Sequence, residues 1–345
     1  MSQRSTALII GLWSLILVTG CHVRPYWLRS PQADLPPEAF AGPPTLENVI
    51  YVVNANTQRV QRLQTENATL RVEGIPALRA NLAYEQPRSF RLLAQLSQFT
   101  GRELDIGSND ELFWFWVRRD SQPSVYFARH ADFANSPARE LIPMEPNRLV
   151  DTLGLIYLDP AGSHSGPVAR EPNLLEITSR IPSPRGDLTR VLLVDAKYGW
   201  AAQQQWYDAN GQLLLSARAG RPRFYREEAV TMPHHIEVAL LPGQPAQMAF
   251  DLDVTSFAIN RLTGDAAQLW TMPQIEGYPA VDIAAPQFRP PVAGPLPGAG
   301  GTPHPVLVPG AAPYGPSGYG TLESPRTARL TNYRGYGPPA RGPGY

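Results

Sequence analysis

The spacing of apolar residues changes along the chain, and each change marks an element. Leu46, Ile50, Val53, Thr57, Val60 and Leu63 recur at helical spacing, while Asn54, Gln58, Arg59 and Arg62 lie elsewhere around the axis. Thr45 can cap such a helix, and Glu47 stands in its first turn, where a carboxylate meets the positive end of the dipole. The pattern predicts an amphipathic helix of about five turns with an apolar stripe that needs a partner. Beyond it the period falls to two. Leu78, Ala80, Leu82 and Tyr84 alternate with Arg79, Asn81 and Ala83, and the rhythm continues through Phe90, Leu92, Ala94 and Leu96 and then Leu104 and Ile106. That is the signature of antiparallel strands sharing one apolar face.

One stretch breaks the alternation. Leu112-Phe113-Trp114-Phe115-Trp116-Val117 is apolar throughout, so Phe113, Phe115 and Val117 lie on one face and Leu112, Trp114 and Trp116 on the other. Both faces of this strand must be covered. Strands are predicted at 66–73, 77–85, 88–97, 102–107, 111–118 and 123–129, separated by Gly74, Pro76, Pro87, Gly101, Asn109, Asp110 and Pro123. A loop and a short helix from Pro146 to about Leu155 follow, with Pro in the first turn. A second series is expected at 173–180, 188–196, 199–207, 212–219, 229–241 and 246–255, with Asn210-Gly211 marking a hairpin. The fold class is therefore α+β: a large, strongly curved, mostly antiparallel sheet of 11–12 strands, a long N-terminal helix and a short lid helix on the concave side.

Composition divides the chain. Residues 285–345 hold 14 Pro and 12 Gly among 61, too many for a packed core, and are expected to stay disordered. Their Tyr and Arg are candidates for contact with cell-wall polymer or an envelope protein; a solvated extension is the plainer alternative. Net charge is zero, with 30 Lys+Arg against 30 Asp+Glu, which excludes the basic footprint of a nucleic-acid binder.

The single cysteine, Cys21, excludes an internal disulfide and a cysteine-rich metal site. It closes a short apolar run, Ala7 to Val18, preceded by Arg4, which is the pattern of a secretory signal over residues 1–20. Val18-Thr19-Gly20-Cys21 resembles the bacterial lipobox. That resemblance implies a diacylglycerol thioether and an N-acyl chain on Cys21, a membrane anchor, and a place in the bacterial envelope. His22 at the following position favours the outer membrane, facing the periplasm. Residues 21–44, with six prolines from Pro25 to Pro44, read as a lipidated spacer, and 45–284 as the folded domain.

Five stretches carry a second resemblance: Leu63–Val72 entering the first strand, Pro87-Arg88-Ser89-Phe90-Arg91-Leu92, the run Leu104-Asp105-Ile106-Gly107-Ser108-Asn109-Asp110-Glu111-Leu112-Phe113-Trp114, and the closing Met232–Val238 and Phe250–Asn260. With the order of elements, they resemble the LolA/LolB-type lipoprotein-carrier superfamily over roughly residues 45–275. The resemblance implies a half-barrel that holds acyl chains between sheet and lid, without catalysis, cofactor or metal. The soluble shuttle of that superfamily has no anchor, and the Pro/Gly tail and the long loops expected at 130–145 and 157–171 are not typical of its members.

On this reading the candidates to line a lipid or lipoprotein acyl-chain cavity are Ile50, Val53, Leu92, Trp114, Trp116, Trp200, Trp206, Phe250 and Leu252. The alternative for each tryptophan is plain core filling, which would fit an envelope scaffold, assembly factor or stress sensor with a packed interior. Asp251 and Asp253 share a strand face as a carboxylate pair could, but alternation with Phe250 and Leu252 explains them as a solvated side. His234 and His235 point to opposite faces and cannot chelate one ion, and no nucleophile elbow, zinc motif or phosphate loop is present.

Overall fold

A computed structural model describes residues 35–289, apart from 98, 100, 119–122, 141, 143, 144, 146, 147, 171, 245 and 246. Cys21, the expected signal and the tail beyond 289 lie outside the described residues.

The first element, α1 (Leu46–Gln58), begins as the sequence anticipates. Thr45 Oγ1 accepts from the Asn48 amide at 3.3 Å, and Asn48 Oδ1 accepts from the Thr45 amide at 3.3 Å, a reciprocal cap. The Glu47 carboxyl is held below its usual range by backbone and Thr45 hydrogen bonds. The helix has 13 residues and not the five turns its periodicity suggested. Its end is set by distant side chains: Asn260 Nδ2 donates to Arg59 O at 2.8 Å, and Gln86 Nε2 to Val60 O at 2.9 Å. These partners take carbonyls that a continuing helix would use. Val60 and Leu63 therefore turn into the sheet core.

The strands follow as β1 (Arg62–Val72), β2 (Leu78–Glu85), β3 (Ser89–Gln95), β4 (Arg102–Ser108), β5 (Leu112–Val117) and β6 (Val125–Arg129). Next come α2 (His130–Phe133), a 3₁₀ turn at Pro137–Glu140 and α3 (Arg148–Asp151), shorter than the helix expected over 146–155. The second series is β7 (Ser163–Arg170), β8 (Leu174–Ile181), β9 (Leu188–Asp195), β10 (Ala201–Tyr207), β11 (Leu213–Tyr225), β12 (Val230–Leu240) and β13 (Met248–Val254). The two-residue β14 (Ala258–Ile259), α4 (Ala266–Leu269) and β15 (Ala280–Asp282) complete the described chain.

All fifteen strands belong to one open, curled sheet in the order β15-β6-β5-β4-β3-β2-β1-β13-β12-β11-β10-β9-β8-β7, with β14 beside β1. Among the described strands only the β15–β6 pair is parallel. The chain thus starts mid-sheet, meanders to one edge, and returns through β13 beside β1 after meandering in from the other. β7 falls within the stretch 157–171 expected as loop, and Ser163-His164-Ser165-Gly166-Pro167 has no alternation. It forms because β8 offers its backbone, and it is an exposed edge strand with a register shift between Ser165 and Val168.

Register fixes the faces. Leu92, Ile106 and Phe115 are consecutive partners across β3, β4 and β5, as are Arg91, Gly107 and Trp114, so the first set shares the inner face and the second the outer. The largest apolar cluster lies on the inner face and joins Leu70, Leu82, Leu92, Ile236 and Leu252 to Val150, Leu153 and Leu155. Helix α1 packs Val49, Ile50 and Val53 on Leu175, Ile177, Leu192 and Val194 of β8 and β9. Residues 36–44, read as spacer, also reach this region: Phe40 packs there, and the Ala39 amide donates to Lys197 O at 2.8 Å.

β5 has both faces covered, as its composition demands. Phe113 on the inner face meets Phe133, Ala138 and Ile283, with Phe288 packed alongside, so core contacts continue past residue 284. Trp114 and Trp116 on the outer face meet Met272, Ile275 and Tyr278. Trp114 is fully buried, worth roughly 2–3 kcal/mol of transfer free energy, and Nε1 donates to Asp105 Oδ1 at 3.1 Å. Arg91 pairs with Asp105 at 2.8 Å and donates to Gln268 O and Leu269 O at 2.9 and 3.0 Å. This outer cluster fastens the segment after β14 to the sheet.

Candidate functional site

The inner face is covered by α1 and by the chain from α3 to Leu158. The attachment is polar as well as apolar. Asn54 Nδ2 donates to Leu158 O at 2.6 Å while the Leu158 amide donates back to Asn54 Oδ1 at 2.8 Å. Asn56 makes the same paired contact with Thr231, at 3.1 and 2.8 Å, and Thr57 Oγ1 donates to Ile156 O at 2.6 Å. Asn54, read from the sequence as part of the polar side, is buried, because the helix meets backbone on that side.

The cover does not reach the whole face. At the end where β1 turns to β2, β3 to β4, and β12 to β13, the inner residues Val72, Leu96, Leu104, Leu240 and Phe250 are only partly buried. Val117 and Met248, on the same face and end, are 38% and 54% exposed. Ile75 and Phe99 stand exposed in the adjoining turns. The opposite end is closed by Val60, Val230 and Phe257.

Near the open end the inner face also carries charge. Arg190 occupies an inward position of β9 between Leu188 and Leu192, and is 2% exposed. Its guanidinium lies 5.1 Å from the ring of Trp206, and that of Arg148 lies at the same distance from the ring. Asp151 Oδ2 is 3.7 Å from a nitrogen of each arginine, an ion pair too long to be a hydrogen bond. Arg190 Nη2 donates to Tyr157 O at 3.3 Å, whereas Nε and Nη1 of Arg190 and Oδ2 of Asp151 are sealed from solvent without a hydrogen-bond partner. Burial pushes the Asp151 carboxyl up in spite of the two arginines and pulls Arg190 down. The phenol of Tyr84 is pushed up to about 12 by burial and by the charge of Asp151. Desolvating such ions costs several kcal/mol each unless hydrogen bonds compensate, and Nε and Nη1 of Arg190 and Oδ2 of Asp151 have none.

The cavity candidates fall into four places. Leu92, Trp206, Phe250 and Leu252 meet in the inner cluster. Ile50 and Val53 are inner residues of the cover, packed directly on β8 and β9, and the cluster they join contains no residue of β5. Trp114 and Trp116 face the other way: the register that puts Phe115 inside puts them outside, so they do not line this face. Trp200 precedes a register shift in β10 and is half-buried outside these clusters. Sequence reasoning missed Asn54, Asp151 and Arg190. Arg190 left a signal, a lone charge in the inward register of Leu188, Leu192 and Val194.

Other candidate chemistry resolves into surface pairing. Asp253 is bound by Arg71, Arg221 and His235 on the outer face. His234, on the other side of the strand, donates from Nδ1 to Val254 O at 2.8 Å and accepts from Tyr225 at Nε2. Among the described residues no three His, Cys, Asp or Glu are placed to hold a metal, and no helix is long and apolar enough to cross a membrane. A pocket of about 500 Å³ lies at the β5–α2 corner, rimmed by Arg88, Asp110, Glu111, Arg129, His130 and Glu145. Its mixed charges, with Arg129 and Glu111 paired at 2.6 Å, set it apart from the inner face.

No family model and no curated protein matches the chain. Solved structures are similar to it. A domain described as an outer membrane lipoprotein-sorting protein of Vibrio parahaemolyticus is 9% identical, with 65% of this chain and 97% of that one covered and a TM-score of 0.42. A LolA superfamily protein from Nitrosomonas europaea is 12% identical, with 66% and 98% covered and a TM-score of 0.41. A DUF1329 family protein from Desulfovibrio piger is 10% identical, with 65% and 98% covered and a TM-score of 0.43.

Proposed function

We propose that this chain is a lipid-anchored protein of the bacterial envelope that holds an acyl chain, of a lipid or a lipoprotein, against the inner face for transfer or retention. The observation that carries the reading is the apolar inner face running past its cover at one end, with Val117, Met248 and Phe250 left partly in water. Exposed apolar surface continuous with a core is what a chain-binding groove presents. The lipobox-like Cys21 supports the anchor, with its diacylglycerol and N-acyl chains directed to the outer membrane. Catalysis and a cofactor have no part in this reading.

The test is native mass spectrometry and lipid extraction on the chain from His22 onward, followed by titration with a fluorescent fatty acid. About one acyl species per chain, and saturable binding, are expected. An empty protein that binds no fatty acid overturns the reading. The direct packing of α1 on β8 and β9 favours the second reading, a packed envelope scaffold, and that empty result would select it. Cys21→Ala should move the full-length protein from the membrane to the soluble fraction.

A further inference from the structure

The geometry points to an anion subsite at the inner end of this groove, formed by Arg190 and Arg148 against Trp206, in which Asp151 holds the place of a ligand's phosphate or carboxylate. The inference rests on the acyl-chain reading and adds to it the class of ligand: an anionic amphiphile.

The cluster has one carboxylate for two guanidinium groups, so one positive charge is left over. Arg190 is sealed by the fold, yet Nε and Nη1, on either side of the Nη2 that donates to Tyr157 O, have no acceptor. Buried donors without partners are rare in native proteins and call for an explanation. Asp151 is the only carboxylate paired with Arg190 among the described residues, and at 3.7 Å it stands too far for hydrogen bonds. A phosphate or carboxylate oxygen at about 2.8 Å would satisfy either of these donors. The face of the guanidinium is taken by Trp206, so Nε and Nη1 are left to donate in the guanidinium plane. Arg148 is one-third exposed and gives the site a route to solvent. Two residues before Arg190 on the same strand face is the half-buried Leu188, packed on the main apolar cluster. Charged and greasy surfaces thus adjoin, as an anionic head on an acyl tail requires. Asp151 belongs to the covering segment, so an anion that displaced it would also loosen the cover from the sheet.

The test compares decyl phosphate, decanoate and decanol by calorimetry on the chain from His22 onward. The two anions should bind about tenfold or more tightly than the alcohol, the margin of one charge-assisted hydrogen bond. Arg190→Gln should remove that preference while leaving decanol unchanged. Arg148→Gln, at a more exposed position, should reduce it even if the Arg190 variant does not fold. Asp151→Asn should strengthen both anions and not decanol. Equal binding of all three ligands by the unaltered chain overturns the subsite and leaves the acyl-chain reading standing. Inorganic phosphate binding as tightly as decyl phosphate keeps the anion site and removes the acyl chain. Failure of every ligand overturns both.

Discussion

Asn54→Ala would remove the side chain that ties α1 to the covering segment. In the folded chain the amide of Asn54 donates to Leu158 O at 2.6 Å and accepts from the Leu158 amide at 2.8 Å. Leu158 is fully buried and lies 104 residues away in sequence, so water cannot readily replace the lost partner. Each backbone group left unsatisfied costs roughly 1–3 kcal/mol. Two such groups give about 2–6 kcal/mol, offset by roughly 0.6 kcal/mol because alanine is the better helix former. A loss of about 3 kcal/mol is therefore expected. With a urea m-value of about 3 kcal/mol/M, the unfolding midpoint falls by about 1 M. If the cover opens locally before the sheet unfolds, the Leu158 amide should also exchange about 100-fold faster. Gln58→Ala, on the exposed side of the same helix, is the control and should stay within about 0.5 kcal/mol. Were Asn54→Ala to match that control in both midpoint and exchange, the cover would be held by apolar contacts alone and the reasoning would fail.

Other consequences are equally direct. A methyl group on Gly107 would stand 2.1 Å from Cζ2 of Trp114, so Gly107→Ala should destabilise the chain by about 3 kcal/mol and alter tryptophan fluorescence, with Gly107→Ala/Trp114→Ala less than additive. Tyr84 has a phenol raised to about 12 from a usual value near 10. Its contribution to stability is complete below pH 10 and lost as pH rises toward 12. Two pKa units are worth about 2.7 kcal/mol, and Tyr84→Phe should flatten that part of an alkaline unfolding series. Val117→Asp, at a partly exposed inner position, should weaken fatty-acid binding about tenfold or more while shifting the urea midpoint little.

The sequence determined a good deal here, because much of the fold is written in short-range periodicity. Alternation in β2, β3 and β4 specified strands with one apolar face, and the unbroken run in β5 required cover on both sides. Thr45 and Asn48 are close in sequence, so the start of α1 was legible too. What it could not settle was anything fixed by a partner far along the chain. The end of α1 is decided by Gln86 and Asn260, neither of which affects local helical preference. β7 is a strand only because β8 hydrogen-bonds to it, and backbone pairing leaves no mark on an edge sequence. Trp114 and Trp116 were recognisable as buried, but which side of the sheet they occupy depended on what covers each face. The same holds for the charged cluster. Arg190 is a cation in an apolar register, a signal passed over in the sequence, and its neighbours Arg148, Asp151 and Trp206 come from elements that only folding brings together. Local order sets period and caps, whereas burial, helix ends and electrostatic company are properties of contacts between distant segments.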